Sequence, residues 1–402
     1  MGNTPNIRFK GFTDDWEQRK LPEFVSFFNG LTYTPDDVQE TGTLVLRSSN
    51  VKNGEIVDAD NVYVSDKVAT SENVQEGDII VVVRNGSRAL IGKHAQIKAS
   101  MPNTVIGAFM SGIRSEYSSF VNALLDTSAF ENEVAKNMGA TINQITGYMF
   151  SKMEFMIPSE EEQQKIGEYF SNIDNLITLH QRKCDETKEL KKFMLQKMFP
   201  KNGEKKPEIR FEGFTDDWEQ RKLGDLLNET REKTSVEDED TLLSCAIDGM
   251  FLNSELFSHF RGSSNIGYLK VKKNDLILSA QNLHLGNCNV NLRFEHGIIS
   301  PAYKVYELIN CDPLFMQAWV KQDKTKDFFL KASTEGASVC RKNIVWEELY
   351  KQELPVPKIN EQVKIGAFFQ NLDNLITLHQ RKCDEIKEIK KFMLQNMFPQ
   401  KG

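Results

Sequence analysis

Side chains that are apolar or only weakly polar recur at alternating spacings of four and three residues in two stretches of the chain, 166–198 and 365–397. A period of 3.5 residues that persists beyond four heptads predicts a helix with a coiled-coil seam. A lysine interrupts each stripe and a proline follows it, so each helix must end there. At 1.5 Å per residue, about 33 residues make a rod of roughly 50 Å. The predicted seam residues are Ile166, Phe170, Ile173, Ile177, His180, Cys184, Ile365, Phe369, Leu372, Ile376, His379 and Cys383.

Both helical stretches belong to a duplication. Residues 162–200 and 361–399 are identical at 31 of 39 positions, and 7–21 (IRFKGFTDDWEQRKL) and 209–223 (IRFEGFTDDWEQRKL) at 14 of 15. The segments between these repeats are similar in length but differ almost throughout. We therefore expect two modules of one design, each followed by the same helix. The expected bounds are 1–160 for the first module, 161–200 for its helix, 201–208 for a charged linker, 209–359 for the second module and 360–402 for the second helix.

Two nearly identical seams in one chain favour pairing with each other over packing of each helix on its own module. We expect the pairing to be antiparallel, because identical helices then generate a local two-fold axis. His180 and Cys184 would face Cys383 and His379 near the centre of the pair. Two His and two Cys at this spacing could bind zinc. A polar layer that fixes the register explains them without a metal, and we expect no metal.

The first module contains a stretch that lacks acidic residues. Residues 77–97 (GDIIVVVRNGSRALIGKHAQI) predict a buried strand, a turn with glycine and a second strand. From Ile79 to Ser115 the chain has no Asp or Glu but five Lys and Arg. Cations interleaved with amides and hydroxyls suit contact with phosphates and base edges, although a solvated face would look the same. The candidate residues are Arg84, Asn85, Ser87, Arg88, Lys93, His94 and Lys98.

The matching part of the second module, 274–294, follows two lysines and is rich in amides, which can pair with adenine edges. Both modules then end alike, in GATINQ (139–144) and GASVCRKN (336–343), where small and polar residues are predicted to precede a helix. A helix N-terminus suits phosphate contact, but a plain N-cap explains Thr141 and Ser338 equally well. The candidates here are Lys272, Lys273, Gln281, Asn282 and His284, then Thr141, Asn143 and Gln144, then Ser338, Arg341, Lys342 and Asn343.

Composition narrows the function classes. Fifty Lys and Arg against 57 Asp and Glu give a net charge of −7, which excludes a protein that coats nucleic acid with its whole surface. No apolar run approaches the roughly 18 residues that a membrane span needs. The N-terminus lacks a signal-peptide core, so we expect a cytoplasmic protein. Six cysteines without a Cys-x-x-Cys pair favour reduced thiols over a disulfide framework or a zinc ribbon.

No catalytic motif stands out. Residues 86–94 resemble a Walker A loop, but five residues separate the glycines where four are needed, and His94 replaces the Ser or Thr that holds magnesium. The G-x-G-x-x-G, G-x-S-x-G and H-E-x-x-H patterns are absent. The Glu-x-Lys triplets at 186–188 and 385–387 lie on the predicted coiled coil, where a nuclease carboxylate cluster would need adjoining strands. The sequence therefore favours a protein that works by binding.

The order of these parts resembles the specificity subunit of type I restriction–modification systems. The resemblance covers essentially the whole chain and rests on GFTDDWEQRKL before each module, the RNGS…LIGK strand pair, the GAT and GAS segments, and the EQ-x-K-I-G entry to each helix. It implies an α/β (α+β) fold of two globular target recognition domains, separated by an antiparallel coiled coil, with a pseudo-two-fold internal repeat. The second module departs from the pattern, because NDLILSAQNLHLGN stands where RNGS…LIGK would be. Individual DNA contacts are therefore not carried over from one module to the other.

The resemblance also implies a function. Each target recognition domain would read one half of a bipartite site in double-stranded DNA. The coiled coil would act as a spacer and dock two methyltransferase subunits, which restriction–translocase subunits then join. S-adenosylmethionine, ATP and magnesium would be bound by those partners, and this chain would be non-catalytic. The alternatives are a ligand-binding scaffold with two modules on a coiled-coil stalk, and an autonomous enzyme.

Overall fold

A computed structural model describes residues 4–138, 143–201, 203–258, 264–338 and 341–399. The chain divides into two compact units. The first unit is Met1–Gln181 with Arg381–Gly402, and the second unit is Arg182–Gln380. Both divisions fall inside a long helix, so each unit contains one variable module and one part of each long helix.

The first unit is built on an antiparallel sheet of order β2-β11-β8-β9. A second sheet has the order β10-β4-β7-β3 and contains the parallel pair β10–β4, while β1 pairs with β12. The strands are β1 (Glu17–Lys20), β2 (Ser26–Asn29), β3 (Val38–Gln39), β4 (Thr43–Leu46), β5 (Val51–Lys52), β6 (Glu55–Ile56), β7 (Val62–Val64), β8 (Ile79–Val82), β9 (His94–Gln96), β10 (Thr104–Ile106), β11 (Met110–Arg114) and β12 (Glu154–Ile157). The helices are α1 (Ser118–Leu125), α2 (Ser128–Asn137), α3 (Gly147–Phe150) and α4 (Glu160–Lys197), which continues into the second unit.

The second unit repeats the central sheet in the order β14-β21-β18-β19 and surrounds it with strand pairs. The strands are β13 (Glu219–Lys222), β14 (Leu227–Thr230), β15 (Leu243–Ala246), β16 (Gly249–Leu252), β17 (Leu269–Lys272), β18 (Leu276–Ser279), β19 (Cys288–Val290), β20 (His296–Ile299), β21 (Tyr303–Leu308), β22 (Ser333–Ser338), β23 (Arg341–Ile344) and β24 (Glu353–Val356). The helices are α5 (Asn253–Leu256), α6 (Pro313–Val320), α7 (Asp323–Lys331), α8 (Trp346–Lys351) and α9 (Ile359–Met397), which continues into the first unit.

The predicted strand, turn and strand over 77–97 are confirmed. All four residues of β8 are buried, as expected for a short continuous apolar run in the middle of a sheet. A single 3-10 turn, Arg88–Leu90, connects β8 to β9, and the two strands pair antiparallel. The second unit places β18, the 3-10 turn Leu283–Leu285 and β19 in the same arrangement.

The duplicated segments form the same frame in each unit. In the first unit Arg8 binds Glu162 through two hydrogen bonds of 2.7 Å, and Trp16 packs edge-on against Phe398 at 5.9 Å. In the second unit Arg210 binds Glu361 in the same bidentate way, and Trp218 meets Phe199 at 5.9 Å. Both glutamates are buried. A buried carboxylate is stable only when it is paired, which explains why the IRF segment and the EQ segment recur together.

The long helices run antiparallel, as predicted. In the second unit Lys191 binds Asp373 at 2.5 Å, and the Cys184 thiol donates to the carbonyl of Ile376 at 3.8 Å. In the first unit Lys390 binds Asp174 at 2.6 Å, and the Cys383 thiol meets the carbonyl of Ile177 at 4.0 Å. In both units a later residue on one helix meets an earlier residue on the other, which is the signature of an antiparallel pair. The lysines that interrupt the stripes therefore cross to carboxylates on the facing helix.

The seam has two kinds of partner. Ile166, Phe170 and Ile173 belong to the core of the first module, and Ile365, Phe369 and Leu372 belong to the core of the second. Cys184 and Cys383 are buried where the two helices meet, and Ile177, His180, Ile376 and His379 are half-buried. The predicted pairing of the helices is confirmed, and it coexists with packing on the modules, because Leu394 and Met397 of α9 lie in the same core as the beginning of α4. The beginning of each helix packs on its own module, because a helix that enters next to a β-sheet buries its stripe there first.

The residues that the structure describes also bear on metal sites, disulfides and membrane spans. Among them, no group of three or more His, Cys, Asp and Glu is arranged to hold a metal ion. The cysteines at 184, 245, 288, 311 and 383 are buried thiols without disulfides. No helix in the described ranges combines the length and the apolar character of a membrane span.

Candidate nucleic-acid interface

Several predicted contact residues of the first module come together at the end of β8. The Asn85 amide N–H donates to the carbonyl of Asn143 at 3.4 Å, and the Asn143 side chain donates to the carbonyl of Gly86 at 3.1 Å. Arg84 and Gln144 form an isolated antiparallel bridge. Arg84, Ser87 and Arg88 are exposed. We call Arg84, Asn85, Ser87, Arg88, Asn143 and Gln144 the first loop cluster.

His94 lies inside the fold. Its residue exposure is 9%, its Nδ1 faces the carbonyl of Gly92 at 3.1 Å, and its Nε2 lies 3.4 Å from Asp126. Burial disfavours the charged ring, but the hydrogen bond and the charge of Asp126 outweigh burial and raise the pKa of His94 above its ordinary value. The ring therefore serves an internal ion pair, and we leave His94 out of the proposed contact surface.

Two other cations of the acid-free stretch are bound by carboxylates. Lys98 binds Glu55 at 2.5 Å, and Arg114 forms hydrogen bonds of 2.7 and 2.8 Å with Asp78. These acids lie outside the stretch in sequence, and the fold brings them to it. A window free of acids therefore overstates how many of its cations face solvent unpaired. Lys93 is exposed on the link between the 3-10 turn and β9.

The second module has a matching group at the end of β18. The Lys342 amide N–H donates to the carbonyl of Gln281 at 3.3 Å. The Nδ1 atom of His284 is buried without a hydrogen-bond partner, and burial, with the nearby charge of Lys342, lowers its pKa. Gln281 and Asn343 are exposed. We call Gln281, Asn282, His284, Lys342 and Asn343 the second loop cluster.

Lys272 and Lys273 do not join this group. They precede β18, whereas Gln281 follows it, so the two sets lie at opposite ends of one strand. Lys273 forms an ion pair with Glu295. The four residues of β18 rise about 13 Å, which is too far for Lys272 and Lys273 to share a base contact with the second loop cluster.

The GAT and GAS segments precede a helix and a strand in both modules, as predicted, but their described candidate residues do not lie at the helix N-terminus. Helix α3 is a single turn capped by Thr146, whose hydroxyl accepts from the Met149 N–H at 3.3 Å. In the second module Ser338 and Arg341 lie in the β22–β23 hairpin, and α8 begins only at Trp346. Thr141 lies outside the described residues, as do the side chains of Ser338 and Arg341. In the second module the described residues of this segment pair as β22 and β23 before α8 begins.

The two loop clusters occupy equivalent places, each in the central four-stranded sheet of its own unit. Each cluster follows an inner strand of its sheet, β8 or β18. The loop after that strand contains a 3-10 turn and ends at a glycine in the left-handed region, Gly92 at φ +87° and Gly286 at φ +88°. Only glycine adopts this conformation at little cost. The strand framework is thus shared, and the side chains that it presents differ.

Sequence reasoning missed Phe109, which lies beside the first loop cluster. The residue is 54% exposed, and the Arg84 guanidinium lies over its ring, 5.0 Å from the centroid. The available signal was the GAF triplet at 107–109, which places a large apolar residue directly after two small ones.

Sequence reasoning also missed an exposed apolar set on the long helices. Each unit carries the same three positions of the repeat, with 44–55% of each residue exposed. The residues are Leu176, Ile389 and Phe392 in the first unit, and Leu375, Leu190 and Phe193 in the second. The signal was the retention of apolar residues off the seam in both copies.

The fold and the two loop clusters define a class: a duplicated recognition protein whose two modules present different polar loops on one framework. The chain belongs to the family of the type I restriction modification DNA specificity domain, whose model matches residues 13–189 and again 215–388. The ligand-binding scaffold has no support among the matching proteins.

Known relatives agree with this family. The chain is 25% identical over 164 residues to the type I restriction enzyme StySPI specificity subunit of Salmonella potsdam, which corresponds to 39% of the chain and 35% of that relative. It therefore spans about a third of that relative's length. It is 22% identical to the MjaVIII specificity subunit of Methanocaldococcus jannaschii, over 94% of the chain and 91% of the relative.

A solved structure shares the fold. The type I restriction–modification S subunit from M. genitalium superposes with a TM-score of 0.66 over 99% of this chain and all of that chain, at 14% identity. At this identity the likeness speaks for the fold alone.

Proposed function

We propose that this chain is the sequence-reading subunit of a type I restriction–modification complex, with each loop cluster reading one half of a bipartite site in double-stranded DNA. The observation that carries the proposal is the pair of loop clusters at equivalent places with different side chains. Arg84 suits guanine, and Gln281 suits adenine, each through two hydrogen bonds in the major groove. One framework with two side-chain sets is what a reader of two unlike half-sites requires.

The unpaired cations of the first loop cluster support contact with DNA. Among the described residues, Arg84 and Arg88 have no ion-pair partner, whereas Arg114 and Lys98 do. A guanidinium that is not bound to a carboxylate keeps its donors for phosphate or guanine. The overall negative charge is compatible with this surface, because only the local charge faces the ligand.

The first test asks whether each module reads its own half-site independently of the other. The bipartite site is identified by methylome sequencing of a host that carries this chain and its partners. Arg84→Ala should weaken binding at the first half-site by roughly 1–3 kcal/mol and relax its base preference, without changing the second half-site. Gln281→Ala should do the reverse. Mobility shifts with the methyltransferase partner measure both, and equal loss at both half-sites in either variant would refute modular reading.

The exposed apolar sets support docking of two copies of one methyltransferase subunit. Each unit repeats the same three apolar positions, with Ile389 in place of Leu190 as the one difference, so a partner that fits one unit fits the other. The catalytic chemistry, with S-adenosylmethionine, ATP and magnesium, is then proposed to lie in the methyltransferase and restriction subunits. Exposed aromatic and aliphatic side chains are typical anchors of protein interfaces.

The second test measures stoichiometry. Phe193→Asp and Phe392→Asp should each remove one methyltransferase copy, because a charge in an apolar contact is desolvated without a partner. Native mass spectrometry should then change from two copies to one for each variant and to none for the double variant. Lys188→Asp, on another side of α4 from Phe193, is the matched control. Retention of two copies in both phenylalanine variants would show that the partner binds elsewhere.

A further inference from the structure

The backbone fixes Phe109 although its ring is exposed. Phe109 closes the turn between β10 and β11, where the Met110 N–H donates to the carbonyl of Gly107 at 2.8 Å. Its own carbonyl accepts from the Val83 N–H at 2.9 Å and from the Arg84 N–H at 3.2 Å. The ring is therefore held beside the first residue of the first loop cluster.

Arg84 lies over this ring, and its guanidinium N–H groups remain available as donors. The guanidinium carbon is 5.0 Å from the ring centroid, and no carboxylate of the described residues pairs with it. Stacking on an aromatic face restricts the guanidinium plane and leaves the edge that carries the N–H groups to point outward. The arrangement combines a fork of donors with an adjacent apolar face.

The second module has different residues at the same two positions. There the carbonyl of Ala302 accepts from the Ala280 N–H at 3.0 Å, as the carbonyl of Phe109 accepts from Val83. Tyr303 pairs with Ser279 as Met110 pairs with Val82, which sets the equivalence of the strands. Gln281 and Ala302 thus stand where the first module has Arg84 and Phe109. The two positions vary together on a constant framework.

We propose that Arg84 and Phe109 read two neighbouring base pairs as one unit, with Arg84 on a guanine and the Phe109 ring on the 5-methyl group of an adjacent thymine. Guanine presents O6 and N7 to an arginine fork in the major groove, and thymine presents its methyl group at the same groove edge. This inference rests on the proposed function and names the chemistry that the first loop cluster recognises. It predicts that the first half-site contains a guanine with a thymine in the next base pair, on either strand.

The test replaces each thymine of the identified site by deoxyuridine, which removes only the methyl group. Binding is measured by titration with the complex of this chain and its methyltransferase partner. One position of the first half-site should lose about fourfold in affinity, the factor expected for one buried methyl group. Phe109→Ala should bind thymine and deoxyuridine equally at that position, and Phe109→Leu should keep most of the difference.

Controls separate reading from folding. The Phe109→Ala complex should keep its melting temperature and its deoxyuridine sensitivity in the second half-site. A first half-site without the guanine–thymine neighbours would overturn the inference. So would a Phe109→Ala complex that loses as much affinity on deoxyuridine substitution as the wild type does. The same holds if the variant's affinity, relative to wild type, falls by one factor on both the thymine and the deoxyuridine duplex. Failure of the wild-type complex to prefer any bipartite duplex would instead overturn the proposed function itself.

Discussion

Asp78 and Asp275 hold the same place before the central strands β8 and β18 and meet opposite charges. Asp78 binds Arg114 at 2.7 Å. At the position of Arg114, four residues into the equivalent strand, the second module has Glu307. Burial raises the pKa of Asp275 to about 6, the N–H of Lys272 opposes this rise, and Glu307 adds to it. The difference between Arg114 and Glu307 therefore replaces an ion pair by a buried carboxyl group whose pKa is raised.

This difference predicts a pH dependence in the second module. A carboxyl group whose pKa is higher in the folded state binds its proton more tightly there, so stability falls as pH rises from about 4 to about 6 and is level above. The slope is at most about 1.4 kcal/mol per pH unit. Hydrogen exchange of the β18 amides, corrected for intrinsic rates, should show this loss, and Asp275→Asn should abolish it. Equal slopes in wild type and variant would contradict the assignment.

At the scale of elements, the glycine of the EQ-x-K-I-G entry sets how closely each long helix approaches its module. A Cβ at Gly167 would lie 2.7 Å from the backbone nitrogen of Phe120, and one at Gly366 would lie 2.6 Å from the Cβ of Leu314. Both neighbours belong to the start of a buried helix, α1 or α6, and cannot rotate away. The repeated glycine is therefore a packing requirement of the helix–module contact.

Gly167→Ala and Gly366→Ala should each destabilise their unit by about 1 to 3 kcal/mol, the cost of forcing atoms into a packed core. Helix propensity would act in the opposite direction, because alanine is the better helix former. Chemical denaturation measures the net effect. Glu168→Ala, one residue further on the exposed face, is the control and should be nearly neutral. Stabilisation by either glycine variant would show that the helix can shift away from its module.

At the scale of the whole molecule, we propose that the paired helices set the distance between the two half-sites. Seven residues inserted at matched positions of α4 and α9 keep the seam in phase and lengthen the pair by roughly 10 Å. The tolerated spacing between half-sites should then change by about three base pairs, with both half-site sequences retained. Methylome sequencing of a host with the altered chain measures both.

An insertion in one helix alone is the control. It shifts the register of the antiparallel pair, breaking contacts such as Lys191–Asp373, so it should lose activity without giving a new spacing. An unchanged spacing with the matched insertions would mean that another part of the complex sets the distance.

Much of this architecture could be predicted because periodicity and repetition are local in sequence. The stripe over 166–198 predicted its helix, the apolar run Ile79–Val82 predicted its strand, and the duplicated segments predicted two modules of one design. Each depends on side chains within a few residues or on direct comparison of two segments. The antiparallel direction also followed, because two like helices in one chain pair most simply about a two-fold axis.

The surface that a module presents was decided only by the tertiary structure. Long-range contacts bury His94 against Asp126, bind Lys98 to Glu55, and bring Phe109 under Arg84. Whether a cation is free depends on carboxylates that are distant in sequence and near in space, and a linear window does not contain them. Sequence therefore determined the elements and their repetition, and folding determined which of their polar side chains remain available to a partner.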